Sequence, residues 1–165
     1  MDPIGKSPIP VTILVVGKAA VAGSLLFFAF RASFADALLY DSSLTRTLGL
    51  MLVAAGLIVA TFGFASLGES LSVGLPDEAT ELKTRGIYRF TRNPIYVGGL
   101  LACAGSCVFS IHLLNILLFA VAVAIHHRIV MKEEEFLEMR FGERWRAYMR
   151  HVPRYIGIRR TLTTE

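Results

Sequence analysis

Two long stretches without a charged side chain constrain the fold of this sequence more than any other feature. Residues 47–68 and 93–125 contain no Asp, Glu, Lys or Arg, although these types make up 18% of the 165 residues. Hydrophobic residues amount to 54%, more than a soluble domain of this length usually buries. A transmembrane helix needs roughly 20 mostly apolar residues. The sequence therefore predicts an all-α integral membrane protein with a single domain, residues 1–165.

The uncharged run from Pro94 to Ile125 is too long for one transmembrane helix. Polar residues at Ser110, His112 and Asn115 divide it, which predicts a helical hairpin. Each arm has about 17 residues and just crosses a hydrocarbon core of roughly 30 Å. With two earlier apolar segments, the sequence predicts four transmembrane helices, at about 9–30, 46–67, 94–110 and 113–130.

Lys and Arg residues are unequally distributed between the two sides of such a bundle. Fourteen lie on the side of the N-terminus, the 68–93 loop and the C-terminal tail, whereas only Arg31 and Arg46 lie on the other. Cytoplasmic segments carry this kind of excess. We expect the loop and both termini to be cytoplasmic, in a bacterial or archaeal plasma membrane. Lys18, within the first span, is expected to reach the interface or to face a polar pocket.

The loop at 68–93 is long for a compact protein, and its apolar residues recur in a way that favours an ordered structure. The apolar residues are Leu71, Val73, Leu75, Leu82 and Ile87. At its end, Asn93 is predicted to cap the third span, and Pro94 suits the first helical position because its missing N–H would be unpaired there.

An apolar stripe follows the hairpin, with spacings of three and four residues that are typical of one helix face. The stripe comprises Leu137, Phe141, Trp145, Tyr148 and Val152. It predicts an amphipathic helix over 132–152 that ends before Pro153 and lies along the cytoplasmic interface.

The hairpin also predicts which residues meet at the cytoplasmic side. Residues at equal distance from the turn lie at equal depth, so 93–96 face 126–130, and Glu133 and Glu134 lie beside Arg89 and Arg92. An Arg or His at the end of a span anchors it in the interface. An acidic pair facing an Arg-Asn-Pro helix start exceeds that requirement, and we interpret it as a candidate binding site.

The segment LKTRGIYRFTRNPIYVGG, followed by KEEEFLEMRFGERWRAYMRHVPRYI, resembles the signature of the isoprenylcysteine carboxyl methyltransferase and phospholipid methyltransferase superfamily. These are integral membrane enzymes that use S-adenosylmethionine, and the resemblance covers about residues 63–156. Asn93 stands where the family commonly has His, and Arg128 is displaced by one position from a substrate-contacting Arg. The resemblance implies these cofactor-binding residues: Leu82, Lys83, Tyr88, Asn93, Pro94, Ile95, Tyr96 and Glu133. The residues expected to act in catalysis are Arg92, Arg128 and Glu134.

S-adenosylmethionine suits such a site chemically and requires no metal. One of the two glutamates suits its ammonium, a cation such as Lys83 its carboxylate, and Tyr88 or Tyr96 its sulfonium. The acceptor is expected to be a lipid or a lipid-tailed molecule that enters from the bilayer between the third and fourth spans. A carboxylate acceptor needs mainly an Arg, whereas an amine must lose a proton to His126, His127 or solvent. The sequence does not distinguish these two acceptors.

Other functional classes are less well supported by the sequence. It has no Gly-x-Gly-x-x-Gly turn, no Ser-His-Asp arrangement and no nucleic-acid motif. Cys103 and Cys107 share one helix face and are expected to be packing residues rather than metal ligands. Two alternatives remain: an NADPH-dependent membrane reductase, whose C-terminal pattern Trp145 partly matches, and a non-catalytic protein that binds lipid head groups.

Overall fold

The computed structural model describes residues 10–67 and 82–157, and these residues form an all-helical bundle as predicted. Within these residues the only β-type pairing is an isolated bridge between Tyr40 and Ile111. The loop residues Leu71, Val73 and Leu75, whose order was predicted, lie outside the described residues. The helices are α1 (Val11–Ala29), α2 (Ser43–Leu67), α3 (Pro94–Phe109), α4 (Leu113–Phe141) and α5 (Glu143–His151), with short 3₁₀ helices at Arg31–Ala37 and Gly86–Arg89.

Three of these helices, α1, α2 and α4, are long and apolar enough to cross a membrane. α3 is equally apolar but has only 16 residues, about 24 Å at 1.5 Å per residue. The helices run alternately up and down, so that α3 begins and α4 emerges at one end, here called the proximal end. The turn at 110–112 marks the distal end. The protein is an integral membrane protein with a helical bundle.

Glycines every seven residues bring α2 and α3 into close contact. Gly49, Gly56 and Gly63 on α2 face α3, and Gly98 and Gly105 on α3 face α2. A Cβ atom added to Gly56 would lie 2.5 Å from the backbone nitrogen of Ala102, so only glycine fits without a shift. Small residues allow such backbone approach between membrane helices. This seam fixes the position of α3, and with it the start of that helix at the proximal end.

A buried polar network joins α1 to the hairpin near the distal end. The Ser24 hydroxyl donates to Asn115 Oδ1 (2.7 Å), and Asn115 Nδ2 donates to the Ser106 hydroxyl and the Ser110 carbonyl (both 3.2 Å). The hydroxyls of Ser106 and Ser110 donate to backbone carbonyls of α1 at 2.5 and 2.9 Å. All four residues are fully buried. We call Ser24, Ser106, Ser110 and Asn115 the distal network.

The end of the fourth span differs from the prediction. The prediction of a separate interfacial helix over 132–152 is wrong, because α4 continues without a break to Phe141 and α5 begins at Glu143. Residues 131–141 contain no Gly or Pro, so nothing in them interrupts the helix. The break comes at Gly142, whose φ of 51° suits glycine. α4 therefore projects beyond the apolar part of the bundle.

The apolar stripe predicted for this region survives the bend at Gly142. Trp145, Tyr148 and Val152 form a buried cluster, and Leu137 and Phe141 at the end of α4 pack against it. Leu82 and Met149 also pack there. The stripe thus holds α5 against the proximal end of the protein. The position of this helix along the bilayer surface stays a prediction.

Candidate active site

The hairpin places the start of α3 against α4, as the sequence predicts. The Tyr96 hydroxyl donates to Glu133 Oε1 at 2.7 Å, and Asn93 Nδ2 donates to Glu134 Oε1 at 3.0 Å. The side chains joined by these bonds come from residues about forty positions apart in the chain. The two neighbouring carboxylates therefore both face the start of α3, but their surroundings differ.

Glu134 is engaged by the protein through both carboxylate oxygens. Its Oε2 accepts from Arg154 Nε at 3.0 Å and lies 3.3 Å from Arg92 Nη2, while Oε1 accepts from Asn93. Glu134 is only 5% exposed. The Arg92 guanidinium also lies over the ring of Trp145, 5.6 Å from its centroid. Burial lowers the pKa of Arg92, and the charge of Glu134 opposes that shift. This geometry favours a positioning role for Glu134.

Glu133 has a freer carboxylate. Oε1 accepts from Tyr96, and the described residues provide no hydrogen-bond partner for Oε2. Burial raises the pKa of nearby Tyr88 to about 12, and the charge of Glu133 adds to that shift. The phenol of Tyr88 therefore stays neutral at physiological pH. Glu133 is the carboxylate of this pair that has capacity for an additional ligand.

His126 completes the group on the α1 side. Its ring centroid lies 5.7 Å from that of Tyr96, and its Nδ1 is 2.8 Å from the Ala122 carbonyl oxygen. A Cβ atom built on Gly17 of α1 would lie 3.3 Å from His126 Cε1. The imidazole thus stands between α1, α3 and its own helix. We call Tyr88, Tyr96, His126 and Glu133 the proximal cluster.

The segment 152–155, here called the tail strap, holds the start of α3 in place. The backbone N–H of Arg92 donates to the Pro153 carbonyl (3.0 Å), and the Thr91 hydroxyl and Asn93 Nδ2 donate to the Arg154 carbonyl (3.0 and 3.1 Å). Tyr155 adds a contact between its hydroxyl and His127 Nδ1 at 2.9 Å.

The tail strap was not predicted from the sequence, and it changes the role of Asn93. Asn93 occupies the N-cap position of α3 as predicted, but its side chain makes no capping hydrogen bond. The capping prediction is therefore wrong in its chemistry, because the side chain bonds Glu134 and the Arg154 carbonyl instead. An Arg and a Tyr directly after the helix-ending Pro153 were the available signal for this segment.

The remaining predicted site residues lie around these contacts. Leu82 packs on the Trp145 cluster, and Lys83 beside it is half-buried. Pro94 and Ile95 face α2, where a Cβ atom added to a glycine would contact both. Arg128 is exposed on α4. Their functional roles stay predictions.

A family comparison identifies the class of protein to which this chain belongs. The family model described as phospholipid methyltransferase matches residues 44–144, more than half of the chain. The chain belongs to the phospholipid methyltransferase family. No match was found among curated proteins.

As a phospholipid methyltransferase family member, the protein is a membrane-embedded methyltransferase, and its family points to a lipid-like substrate. The matched region includes α2, α3 and α4 with Glu133 and Glu134, and it ends within α5. α1 and the tail strap lie outside this region, although both contact the candidate site. In this methyltransferase, elements beyond the matched region therefore help to build the site.

Proposed function

We propose that the protein transfers the methyl group of S-adenosylmethionine to the head group of a lipid or lipid-tailed molecule at the cytoplasmic membrane interface. The observation that carries this proposal is the carboxylate of Glu133. Its Oε1 accepts from Tyr96 at 2.7 Å beside the start of α3, and its Oε2 has no hydrogen-bond partner among the described residues. When bound, S-adenosylmethionine supplies an electrophilic methyl carbon on a positively charged sulfur.

The residues at the proximal end fit this methyl donor. Glu133 offers a free oxygen to an ammonium group or to ribose hydroxyls, and the phenols of Tyr88 and Tyr96 offer aromatic surface to a sulfonium. Lys83 is half-buried in the stretch that leads to Tyr88, and its ammonium group suits the carboxylate of S-adenosylmethionine.

The surroundings of the proximal cluster support a lipid-tailed acceptor. α1, α3 and α4 meet there, and the first and last of these expose many apolar side chains to the bilayer. The chain also places most of its cations at this end, which suits anionic head groups and a cytoplasmic orientation. An acceptor head group would then meet Glu133 and His126 at the interface while its tail remains in the bilayer.

Donor binding is tested by calorimetric titration of the full chain in nanodiscs with S-adenosylmethionine, S-adenosylhomocysteine and NADPH. Saturable binding of the first two, but not of NADPH, is expected. Glu133→Gln should weaken binding of S-adenosylmethionine about 10-fold or more, since it removes the charge that faces the ammonium. Glu135→Gln is the matched control, because Glu135 is exposed and paired with Lys132. Equal affinities in both variants would contradict the assignment of Glu133.

The acceptor is identified by incubating membranes that contain the protein with methyl-labelled S-adenosylmethionine. Label in an extractable lipid or lipidated peptide is expected only when the protein is present. Binding of NADPH alone would support a reductase, and binding of none of the three ligands would support a non-catalytic protein. Either result would overturn the proposed function.

A further inference from the structure

We infer that the turn at residues 85–90 and the adjoining end of the tail strap form a membrane anchor in the leaflet at the proximal end. Phe90 and Ile156 insert among the lipid tails, and Arg85 and Arg89 bind the phosphates of anionic lipids. The inference concerns the lipids of the surrounding bilayer rather than the methyl acceptor, so it does not depend on the proposed function.

The depth of the 85–90 turn follows from the two helices beside it. α3 begins four residues after Phe90 and is about 24 Å long, which is shorter than a hydrocarbon core of roughly 30 Å. The segments that flank α3 therefore lie at the boundary of that core. The turn also packs on the end of α2, because a Cβ atom added to Gly86 would lie 3.0 Å from Oγ of Ser66, the penultimate residue of that helix.

The backbone of the turn is suited to a layer that contains little water, where unpaired polar groups are costly. The N–H groups of Tyr88 and Phe90 donate to the carbonyls of Arg85 and Ile87, at 3.2 and 3.0 Å. The N–H of Arg92, which follows the turn, donates to a carbonyl of the tail strap at 3.0 Å. These donors therefore remain paired when the chain turns at the membrane boundary.

Large apolar side chains are exposed on both parts of the anchor. Phe90 is 74% exposed, and Ile156, directly after the tail strap, is 81% exposed. The strap is joined to the residue after Phe90, because the Thr91 hydroxyl donates to the Arg154 carbonyl at 3.0 Å. Burying such side chains in lipid is favourable, and aromatic residues are common at this depth of a membrane. The bilayer that surrounds the helices is therefore the partner that these side chains fit.

The charges at the proximal end favour anionic lipids. Arg85 and Arg89 are exposed, and neither guanidinium has a partner among the described residues. The described glutamates at this end all have a side-chain partner: Glu133, Glu134, Glu135, Glu138 and Glu143. The uncompensated charge beside the turn is therefore positive, which attracts anionic head groups, and the forked guanidinium suits a phosphate.

The test introduces a tryptophan into the full chain in nanodiscs of anionic lipids whose acyl chains are brominated near the head group. Phe90→Trp and Ile156→Trp should be quenched by the bromines. Met139→Trp is the matched control, because Met139 is also 74% exposed but lies on the projecting part of α4 next to Glu138. Quenching at Phe90 and Ile156 should exceed that at Met139 about twofold or more. The signal of Trp145, the one native Trp, is subtracted and changes little because this residue is buried.

The role of the two arginines is tested in Phe90→Trp by adding Arg85→Gln and Arg89→Gln together. Quenching in anionic nanodiscs should fall to the level seen in zwitterionic ones, because the attraction to the head groups is removed. Arg144→Gln is the control, since Arg144 is exposed on α5 and also has no partner among the described residues. It should leave the quenching unchanged.

Weak quenching at either Phe90 or Ile156, or equal quenching at Met139, would overturn the membrane anchor. Quenching that is the same in anionic and zwitterionic lipids, with or without the two arginines, would overturn the binding of lipid phosphates by Arg85 and Arg89. Neither measurement involves S-adenosylmethionine, so failure of the proposed function would leave both results unaffected.

Discussion

The distal network and the proximal cluster are both polar groups inside an apolar bundle, yet they differ in how many of their polar atoms have a hydrogen-bond partner among the described residues. In the distal network, the side chains of Ser24, Ser106 and Asn115 bond to one another and to backbone carbonyls. In the proximal cluster, one oxygen of Glu133 and one nitrogen of His126 have no partner among the described residues. A satisfied network stabilises helix packing, whereas an incomplete one has capacity for a ligand.

Glu134 resembles the distal network, because both of its carboxylate oxygens have partners, although it adjoins Glu133. Its charge is compensated by Arg92 and Arg154 and by the amide of Asn93. Adjacent helical residues point about 100° apart, so one carboxylate faces the tail strap and the other faces Tyr96. We therefore expect Glu134 to stabilise the fold and the consecutive Glu133 to bind the ligand.

The largest expected effect on stability is that of Glu134→Ala. Removing one partner of a buried ion pair leaves the others uncompensated, and we expect a loss of about 3–5 kcal/mol. Unfolding of the reconstituted protein in a denaturing detergent would measure this loss. Glu134→Gln, which keeps a hydrogen-bond acceptor, should be milder, and exposed Glu135→Ala should be neutral. If Glu134→Gln folds normally but loses donor affinity as Glu133→Gln does, the proposed division between the two glutamates is wrong.

Gly56→Ala should have the next largest effect, because it tests the seam that positions α3. The added Cβ would lie 2.5 Å from the backbone of Ala102, and overpacking of this kind costs about 1–3 kcal/mol. Gly99→Ala on α3 is the control, because nothing lies within 4 Å of a Cβ at that position. Equal detergent stability of the two variants would mean that the seam does not limit the approach of α2 and α3.

Asn115→Ala should destabilise the bundle by a smaller amount, about 0.5–2 kcal/mol, since interhelical hydrogen bonds in membranes are modest. Affinity for S-adenosylmethionine should remain that of the wild type, because the distal network is remote from the proximal cluster. Thr47→Ala, which removes an exposed hydroxyl bonded within α2, serves as the control. A large loss of donor affinity in Asn115→Ala would abolish the distinction between the two regions.

The smallest expected effect is seen in the alkaline titration of Tyr88. Its pKa is about 12 in the folded protein and 10.0 for an unperturbed phenol, so the stability linked to its proton is complete below pH 10 and is lost between pH 10 and 12. Tyrosinate absorbance should lose a component near pH 12 in Tyr88→Phe. Glu133→Gln should move that component to lower pH because a negative neighbour is removed. No movement would place Glu133 away from Tyr88.

The sequence predicted the hairpin register well because its markers are local. Pro94 fixes the start of α3, and the polar residues at 110–115 fix the turn, so counting placed the acidic pair beside the start of α3 and Glu134 next to Arg92. The end of α4 was missed for a physical reason. Charges at Lys132 and beyond mark the edge of the apolar region, but they do not end a helix that contains no Gly or Pro before Gly142.

The tail strap and the choice between the two glutamates were harder to predict. The strap bonds in part through the backbone carbonyls of Pro153 and Arg154, which no pattern of side chains reveals, so Arg154 and Tyr155 were its only signal in the sequence. Which glutamate faces Arg154 depends on the rotation of α4, and that rotation is set by packing against α1 and α3. The glycine seam, by contrast, is visible in the sequence as glycines spaced by seven residues on α2 and on α3.

The short length of α3 is expected to make the site sensitive to membrane thickness. Tyr96 lies in the first turn of this helix, which is about 24 Å long, whereas Glu133 lies on the part of α4 that projects beyond the apolar bundle. A hydrophobic stretch shorter than a hydrocarbon core of roughly 30 Å is accommodated by local thinning of the bilayer. We therefore expect turnover to vary with the acyl chain length of the surrounding lipids.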